Sequence, residues 1–351
     1  MIRRPIALVG TGVLVLAVAA CGSPPGGSGA GGTSSGSTVS VTNCGHSEPF
    51  PSPARRVFVN DGNMIAMALA VGAKDQLVSV TSLQKDSTVL AKVYGDQARQ
   101  LPDSGADYPT LEGVLAKRPD VMVAGYNYGY SESRNLMPDL LRSKGIAPYI
   151  LSESCRQKAG EKARGTMDPW VALRTDLTNL GAITGHAAQA KQVTDDLDAR
   201  LVALRAAPQA TRKPVVLLFD SAKDAVFTSG SYGGPQGVID AAGATNVAGA
   251  IHDTWTNISW EKVATAKPDF IAFVHYGQQT MADKVALLEA NPATRDLPAV
   301  KEKRYLNLPY AAWTSSPLNI DAAENLRKAL EKASLLPASQ ITPRHDLREV
   351  G

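Results

Sequence analysis

Continuous hydrophobic runs recur along the chain, and stretches of helical composition separate them. The runs are rich in β-branched and aromatic residues and do not alternate with polar positions. Such runs favour strands buried on both faces, as in parallel α/β sheets. Seven runs predict strands, at 56–60, 77–81, 120–125, 147–151, 214–219, 269–274 and 304–308.

One segment of this pattern occurs twice, 149 residues apart. The first copy begins at Thr110 and the second at Ser259. Both copies begin with a hydroxyl residue suited to cap a helix and carry a glutamate in the first turn, Glu112 or Glu261. Both copies then reach Pro-Asp and enter an apolar strand. The repeat predicts two lobes of similar design.

A long helical stretch lies between the two halves. Small and aliphatic residues form one stripe over 186–206, and this spacing predicts an amphipathic helix about 31 Å long. Gly181 and Gly185 interrupt the helical pattern before it. A helix of this length can hold two lobes against each other.

The N-terminus has the order of a secretory signal peptide. Arg3 and Arg4 precede an apolar run at 6–20, which is too short to span a bilayer comfortably. Residues 18–20 are Val-Ala-Ala, and with Cys21 they resemble the lipobox of bacterial lipoproteins. That resemblance implies lipid on Cys21, and the alternative is an ordinary signal peptide followed by a cysteine.

Composition narrows the possible functions. Hydrophobic residues make up 44% of the 351 residues and charged residues 20%, which excludes an intrinsically disordered protein. The net charge of +3 does not indicate a nucleic-acid partner. After export, Cys44 and Cys155 remain beside Cys21, and an oxidising exterior favours a disulfide between them. The alternative is two free buried thiols.

Several motifs together resemble one protein family. They are Pro53-Ala-Arg-Arg-Val-Phe-Val, Leu111-Glu with Pro119-Asp, Leu180-Gly-Ala-Ile-Thr-Gly, Trp260-Glu with Pro268-Asp, Leu297-Pro-Ala-Val-Lys and Asn319-Ile-Asp-Ala-Ala. Over residues 53–335 the chain resembles substrate-binding lipoproteins of ferric-siderophore, haem and cobalamin ABC importers, closest to the actinobacterial ferric-dicitrate type. The resemblance implies two Rossmann-like α/β lobes joined by a single long helix, with the ligand in the cleft between them.

The domain organisation follows from these patterns. We expect a signal peptide at 1–20, a lipidated cysteine and flexible Gly/Ser linker at 21–52, an N-terminal lobe at 53–168, a helical connection at 169–207, a C-terminal lobe at 208–336 and a polar tail at 337–351.

Candidate ligand-binding residues follow predicted strands or lie in loops. Ligands in open α/β sheets lie beyond the carboxyl ends of the strands. Aromatic side chains there can stack on a planar ligand, and an arginine can bind a carboxylate or hydroxamate. The candidates are Tyr126, Tyr128, Tyr130, Arg156, Trp255, Tyr276, Trp313, Asn60 and Asp61.

The histidines are scattered and do not have the spacing of a dedicated metal site. Iron arriving as a chelate needs no protein ligand, so we expect no direct metal site and no intrinsic cofactor. If the ligand is haem, Tyr126, Tyr128 or His275 could ligate its iron. No nucleophile elbow or HExxH motif occurs, so we do not expect an enzyme.

The sequence therefore indicates an extracytoplasmic, membrane-anchored binding protein, which we expect to be a monomer. It would capture a ferric siderophore, ferric citrate or haem and deliver it to an ABC permease dimer. The resemblance implies that Glu112 and Glu261 dock onto permease arginines, in addition to stabilising their helices. The alternative is an envelope structural or interaction lipoprotein that keeps the fold without transport.

Overall fold

The computed structural model describes residues 37–83 and 86–348. The expected signal peptide and Cys21 lie outside these residues. Within the described part of the chain, no helix has the length and apolar character needed to cross a membrane.

Strands and helices alternate through most of the described chain. The strands are β1 (Thr38–Asn43), β2 (His46–Pro51), β3 (Val57–Asn60), β4 (Leu77–Thr81), β5 (Val121–Tyr126), β6 (Gly129–Tyr130), β7 (Ala147–Ile150), β8 (Val215–Phe219), β9 (Ser221–Ala222), β10 (Val226–Ser229), β11 (Thr245–Asn246), β12 (Trp255–Ile258), β13 (Phe270–His275) and β14 (Tyr305–Pro309). All seven predicted strands are present.

The helices cover the sheets and connect the lobes. They are α1 (Gly62–Ala70), α2 (Ser87–Tyr94), α3 (Asp96–Arg99), α4 (Leu111–Lys117), α5 (Pro138–Ser143), α6 (Pro169–Thr184), α7 (Ala187–Ala206), α8 (Gly234–Ala241), α9 (Trp260–Ala266), α10 (Met281–Ala290), α11 (Pro298–Lys301) and α12 (Asn319–Lys332). Short 3₁₀ turns lie at Lys74–Gln76, Glu132–Arg134, Ser152–Ser154 and Tyr310–Ala312.

Each lobe is built on a parallel sheet. In the N-terminal lobe β3 lies between β4 and β5, and β7 pairs with the other edge of β5. In the C-terminal lobe the order is β11-β8-β13-β14. All four residues of β3 are buried, as are the first five of β5 and of β13. Burial on both faces explains why these strands read as continuous hydrophobic runs.

The two copies of the internal repeat form the same capped helix and following strand. The side-chain oxygen of Thr110 accepts from the backbone N–H of Gly113 at the start of α4, at 3.2 Å. Ser259 accepts from Lys262 at the start of α9, also at 3.2 Å. Both helices last seven residues and lead into six-residue strands, β5 and β13. The two lobes therefore present equivalent strand ends to the space between them.

The connection between the lobes consists of α6 and α7. Asp168 caps α6 by accepting from the backbone N–H groups of Trp170 and Val171. Gly185 ends α6 with a φ of +78°, a left-handed conformation that favours glycine. The 20-residue helix α7 then buries Leu197, Leu201 and two further apolar residues.

The flexible linker expected over 21–52 is wrong for its last part. Residues 38–51 form an antiparallel hairpin, β1 and β2, because Val39 and Val41 alternate with polar residues and a Cys44-Gly turn joins the strands. The predicted disulfide between Cys44 and Cys155 is present, with 5.3 Å between the two Cα atoms. The disulfide fixes the hairpin turn to the N-terminal lobe.

The polar tail expected over 337–351 is also partly folded. Leu347 is fully buried, and its backbone N–H donates to Asn325 at 3.2 Å. The Arg344 guanidinium donates to both carboxylate oxygens of Asp196 on α7, at 2.7 and 2.8 Å. The described part of the tail therefore packs against the C-terminal lobe and the connecting helix.

Candidate ligand-binding cleft

A cavity of about 570 Å³ lies between the two lobes. Its volume is within the usual range of small-molecule sites. Residues of both lobes line it, and aromatic side chains predominate. The lining residues are Tyr108, Asn127, Tyr128, Arg164, Asp220, Ser221, Phe227, Trp255, Tyr276, Gly277, Gln278, Gln279 and Tyr310.

Two pairs of aromatic rings from the C-terminal lobe form one wall of the cavity. Tyr276 follows β13 and stacks on Tyr310, which follows β14, with 4.3 Å between the ring centroids. Phe227 on β10 and Trp255 on β12 lie on neighbouring antiparallel strands, with centroids 5.7 Å apart. Because sheet pairing and stacking fix these rings, they offer a preformed apolar wall to a ligand.

Arg164 supplies a positive charge at this cavity. Its residue is 8% exposed, and its guanidinium donates to the carbonyl oxygen of Tyr126 at 3.3 Å. No carboxylate within residues 37–83 and 86–348 pairs with Arg164 at salt-bridge distance. A buried guanidinium with remaining donors can bind an anionic oxygen of a ligand.

The backbone around Arg164 explains its position. Its segment returns to the disulfide-bonded residue Cys155, whose carbonyl oxygen accepts from Gly165 at 2.8 Å. The backbone N–H of Arg164 donates to Asp253 of the C-terminal lobe at 3.1 Å. The segment that carries Arg164 is therefore held by contacts to both lobes.

Asp61 lies beneath the cavity and binds two tyrosines that line it. The hydroxyls of Tyr108 and Tyr310 both donate to Asp61 Oδ2, at 3.3 Å. Burial raises the pKa of Asp61 to about 7 and that of its neighbour Asp86 to about 8. Burial also raises the pKa of both tyrosines well above the ordinary value. Their phenolate forms are therefore strongly disfavoured.

Asp220 is the carboxylate that lines the cavity itself. It follows β8, and burial raises its pKa while the charge of Lys284 acts in the opposite direction. Lys284 is buried and donates to the carbonyl oxygen of Val274. The negative charge of Asp220 is thus offset from within the C-terminal lobe.

The structure brings some predicted ligand residues to the cavity. Tyr128, Trp255 and Tyr276 line it, and Asp61 lies directly behind two lining tyrosines. Tyr126 is half-buried and lies beside the cavity, where the Arg156 guanidinium stacks over its ring at 4.5 Å. Both residues line a separate pocket of about 370 Å³.

Three predicted ligand residues lie in the protein interior instead. Trp313 is fully buried, and its indole N–H donates to the carbonyl oxygen of Phe273 at 3.2 Å. Tyr130 is fully buried and donates to the carbonyl oxygen of Met122 at 2.9 Å. Asn60 is fully buried between Thr81 and Tyr128, and hydrogen bonds join it to both. The polar atoms of all three are engaged in hydrogen bonds within their own lobes, and none of the three residues lines the cavity.

Of the three candidate ligands for haem iron, only Tyr128 lines the cavity. Tyr126 and His275 are not among the lining residues. Over residues 37–83 and 86–348, no group of three or more His, Cys, Asp and Glu side chains is arranged to hold a metal ion.

Sequence reasoning missed several lining residues. Asp220 and Tyr310 directly follow strands β8 and β14, so the rule that selected Tyr276 could have found them. Tyr108 and Arg164 lie in irregular segments, and nothing in the local pattern marks them. Phe227 is an aromatic residue within a strand, which by itself indicates core as readily as cleft.

Glu112 and Glu261 occupy equivalent positions on the two lobes. Both side chains are exposed in the first turn of their helices, α4 and α9. The backbone N–H of Glu261 and the Ser259 hydroxyl lower the pKa of Glu261, as expected for a carboxylate at a helix N-terminus. Docking by this pair stays a prediction.

The sequence matches the family model described as periplasmic binding protein over residues 59–312. The chain belongs to the periplasmic binding protein family. This confirms the resemblance seen in the motifs. Periplasmic binding proteins are extracytoplasmic solute-binding proteins of ABC transport rather than enzymes.

Solved structures share the fold of this periplasmic binding protein. A periplasmic binding protein from Veillonella parvula is 21% identical, with a TM-score of 0.69 over 84% of this chain and 98% of its own. An Fe³⁺-hydroxamate transport protein from Saccharomonospora viridis is 19% identical, with a TM-score of 0.68 over 83% and 98%. A periplasmic haem-binding protein from Pseudomonas aeruginosa is 23% identical, with a TM-score of 0.61 over 82% and 96%. No curated protein matches the chain.

Proposed function

We propose that this periplasmic binding protein captures a ferric siderophore in its inter-lobe cleft and delivers it to an ABC permease dimer. The observation that carries the proposal is the lining of the cavity, where aromatic rings from both lobes surround the buried cation Arg164. Rings pack against the organic shell of a chelate, and a guanidinium binds its anionic oxygens. The iron arrives already coordinated, so the protein supplies no ligand to it.

Three of the four tyrosines that line the cavity, Tyr108, Tyr128 and Tyr310, favour a siderophore over haem. Haem iron bound by tyrosine needs the phenolate oxygen. The hydroxyls of Tyr108 and Tyr310 donate to Asp61, and that of Tyr128 donates to Glu153 at 3.2 Å. Burial raises the pKa of each of these tyrosines well above its ordinary value. A ligand that brings its own iron coordination fits these protonated hydroxyls better.

The route to the membrane completes the proposal. Lipid on Cys21 would hold the protein at the extracytoplasmic face of the membrane, and residues 22–36, which are rich in glycine and serine, would connect the anchor to the described part of the chain. Glu112 and Glu261, one on each lobe, would each meet one half of the permease dimer. Charge pairs of this kind guide association and fix orientation.

Tryptophan fluorescence tests the proposed ligand. Of the four tryptophans, Trp255 lines the cavity, so a ferric siderophore should quench its emission saturably. The variant Trp255→Phe is the matched control and should lose most of the quenching. Parallel titrations use a ferric trihydroxamate, ferric citrate and haem.

The outcomes of these titrations separate the candidate functions. Saturable quenching by a ferric siderophore supports the proposal. Binding of haem alone, with a new Soret band, would replace the siderophore by haem. Binding of none of the three ligands would favour an envelope structural or interaction role.

A further inference from the structure

Glu153 is a buried carboxylate at the junction of the two lobes. It lies in the 3₁₀ turn Ser152–Ser154 that follows β7 and is 2% exposed. Oε1 accepts from the hydroxyl of Tyr128 at 3.2 Å and from the indole N–H of Trp255 at 3.3 Å. Oε2 accepts from the backbone N–H groups of Gly234 at 3.1 Å and Ser315 at 2.7 Å.

All four partners of Glu153 are hydrogen-bond donors, and they come from both lobes. Tyr128 belongs to the N-terminal lobe, whereas Gly234, Trp255 and Ser315 belong to the C-terminal lobe. A carboxylate is the side chain that can accept several bonds without donating any. Burial raises the pKa of Glu153, whereas the bonds from Ser315, Gly234 and Trp255 and the charge of Arg164 act in the opposite direction. The four contacts fit an ionised glutamate, and its Oε1 joins two rings that line the cavity.

We propose that Glu153 is the positioning residue of the cleft, which fixes the rings of Tyr128 and Trp255 from opposite lobes in the arrangement that meets the ligand. The effect on siderophore affinity rests on the proposed function. The placement of the two rings does not, because it rests on their hydrogen bonds to Glu153.

The backbone on both sides of Glu153 is anchored. The backbone N–H and hydroxyl of Ser152 donate to Asp176 on α6, at 3.1 and 2.6 Å. Cys155, two residues after Glu153, is held by the disulfide. A carboxylate fixed at this point can in turn hold the aromatic side chains that bond to it.

Gly234, the partner of Glu153 at the start of α8, has little room around its Cα atom. A Cβ atom on Gly234 would lie 2.5 Å from the carbonyl oxygen of Trp313. Glycine therefore permits the close approach that brings its N–H within 3.1 Å of Glu153. This contact and the bond from Ser315 fix Oε2, so Oε1 stays directed at the two rings.

Glu153→Gln tests the role with little change in shape. An amide offers one accepting oxygen, and its NH₂ group faces donors whichever way it turns. The variant therefore loses the indole bond or both backbone bonds. Glu331→Gln is the matched control, because Glu331 also accepts from several donors, Arg327, Lys328 and Ser339, at the end of α12.

The first measurement is the emission of Trp255 in ligand-free protein, taken as the difference between each variant and the same variant with Trp255→Phe. Glu153→Gln should shift this emission and increase its quenching by iodide, whereas Glu331→Gln should change neither. Unaltered emission and iodide quenching in folded Glu153→Gln would overturn the proposal. This result does not depend on which ligand the protein binds.

The second measurement is affinity for the ferric trihydroxamate. Glu153→Gln should raise the Kd about tenfold, as expected for the loss of a bond to a charged acceptor. Tyr128→Phe keeps the ring and removes the hydroxyl that points at Glu153, so it decides the matter if Glu153→Gln does not fold. Tyr128→Phe should also weaken binding several-fold, and wild-type affinity in this variant would contradict a positioning role. If the wild-type protein does not bind the probe, the proposed function fails and the emission measurement alone decides.

Discussion

Arg164 lies over the aromatic ring of Tyr128, with its Cζ atom 5.4 Å from the ring centroid. The ring contacts the Arg164 guanidinium at its face, and its hydroxyl donates to the carboxylate of Glu153. Cation, ring and carboxylate thus form a short chain along the cavity wall. The arrangement keeps the positive charge of Arg164 near the ligand while a buried negative charge lies behind the ring.

Arg164 should contribute more to ligand binding than Arg156. Arg164→Ala should raise the Kd for the ferric trihydroxamate at least tenfold, because the hydroxamate oxygens lose the buried guanidinium that binds them. Arg164→Lys should recover part of the affinity, since an ammonium cannot match the planar guanidinium. Arg156→Ala is the control and should bind nearly normally. A larger loss for Arg156→Ala, measured by the same titration, would contradict the assigned roles.

Removing a cleft tyrosine and a core tyrosine should have different consequences. Tyr276→Ala removes a ring stacked at 4.3 Å on Tyr310 and should weaken binding by roughly 1–2 kcal/mol with little change in stability. Tyr130→Ala removes a fully buried ring and should lower the free energy of unfolding by about 3–5 kcal/mol. Urea unfolding and ligand titration of both variants check this. A stable Tyr130→Ala protein with weak binding would return Tyr130 to the ligand site.

The lobe architecture could be predicted from the sequence because burial on both faces leaves a continuous hydrophobic run. The repeat around Thr110 and Ser259 marked matching helices, caps and strands in both lobes. The strand-end rule found Tyr276 for the same reason, since it depends on the position of a strand and on nothing more distant.

The individual cleft residues were harder to predict, because their placement depends on distant contacts. Arg164 reaches the cavity through bonds to Cys155 and to Asp253 of the other lobe. Trp313 is buried because its loop folds back and places the indole N–H on the carbonyl of Phe273. No local pattern in the sequence distinguishes a residue that reaches the cavity, such as Arg164, from one that is buried in the core, such as Trp313.

Stability should fall as pH rises from about 4 to about 8. Burial raises the pKa of Asp61 to about 7 and that of Asp86 to about 8, from an ordinary 3.8. Over this range Asp61 and Asp86 retain protons in the folded protein that they have released in the unfolded chain. A rise in pH therefore favours unfolding. Asp86→Asn should reduce the slope, whereas Asp75→Asn, at an exposed site, should not. Urea unfolding across pH measures this, and an unchanged slope in Asp86→Asn would contradict it.

The repeated glutamates should matter for transport and leave ligand binding intact. The double variant Glu112→Gln, Glu261→Gln should bind the ferric siderophore normally but lose cellular uptake and affinity for the permease, because both docking charges are gone. Glu289→Gln, at another exposed position, is the control. Wild-type uptake by the double variant at normal expression would leave these residues with their helix-capping role alone.

The most direct test of the account is a crystal of the protein grown with a ferric trihydroxamate siderophore, with the iron located by anomalous scattering at its absorption edge. We predict one iron peak within the cavity bounded by Tyr128, Arg164 and Trp255. Its coordination should be completed by siderophore oxygens alone. An iron peak outside the cleft, or a protein side chain in the coordination sphere of the iron, would contradict the proposal.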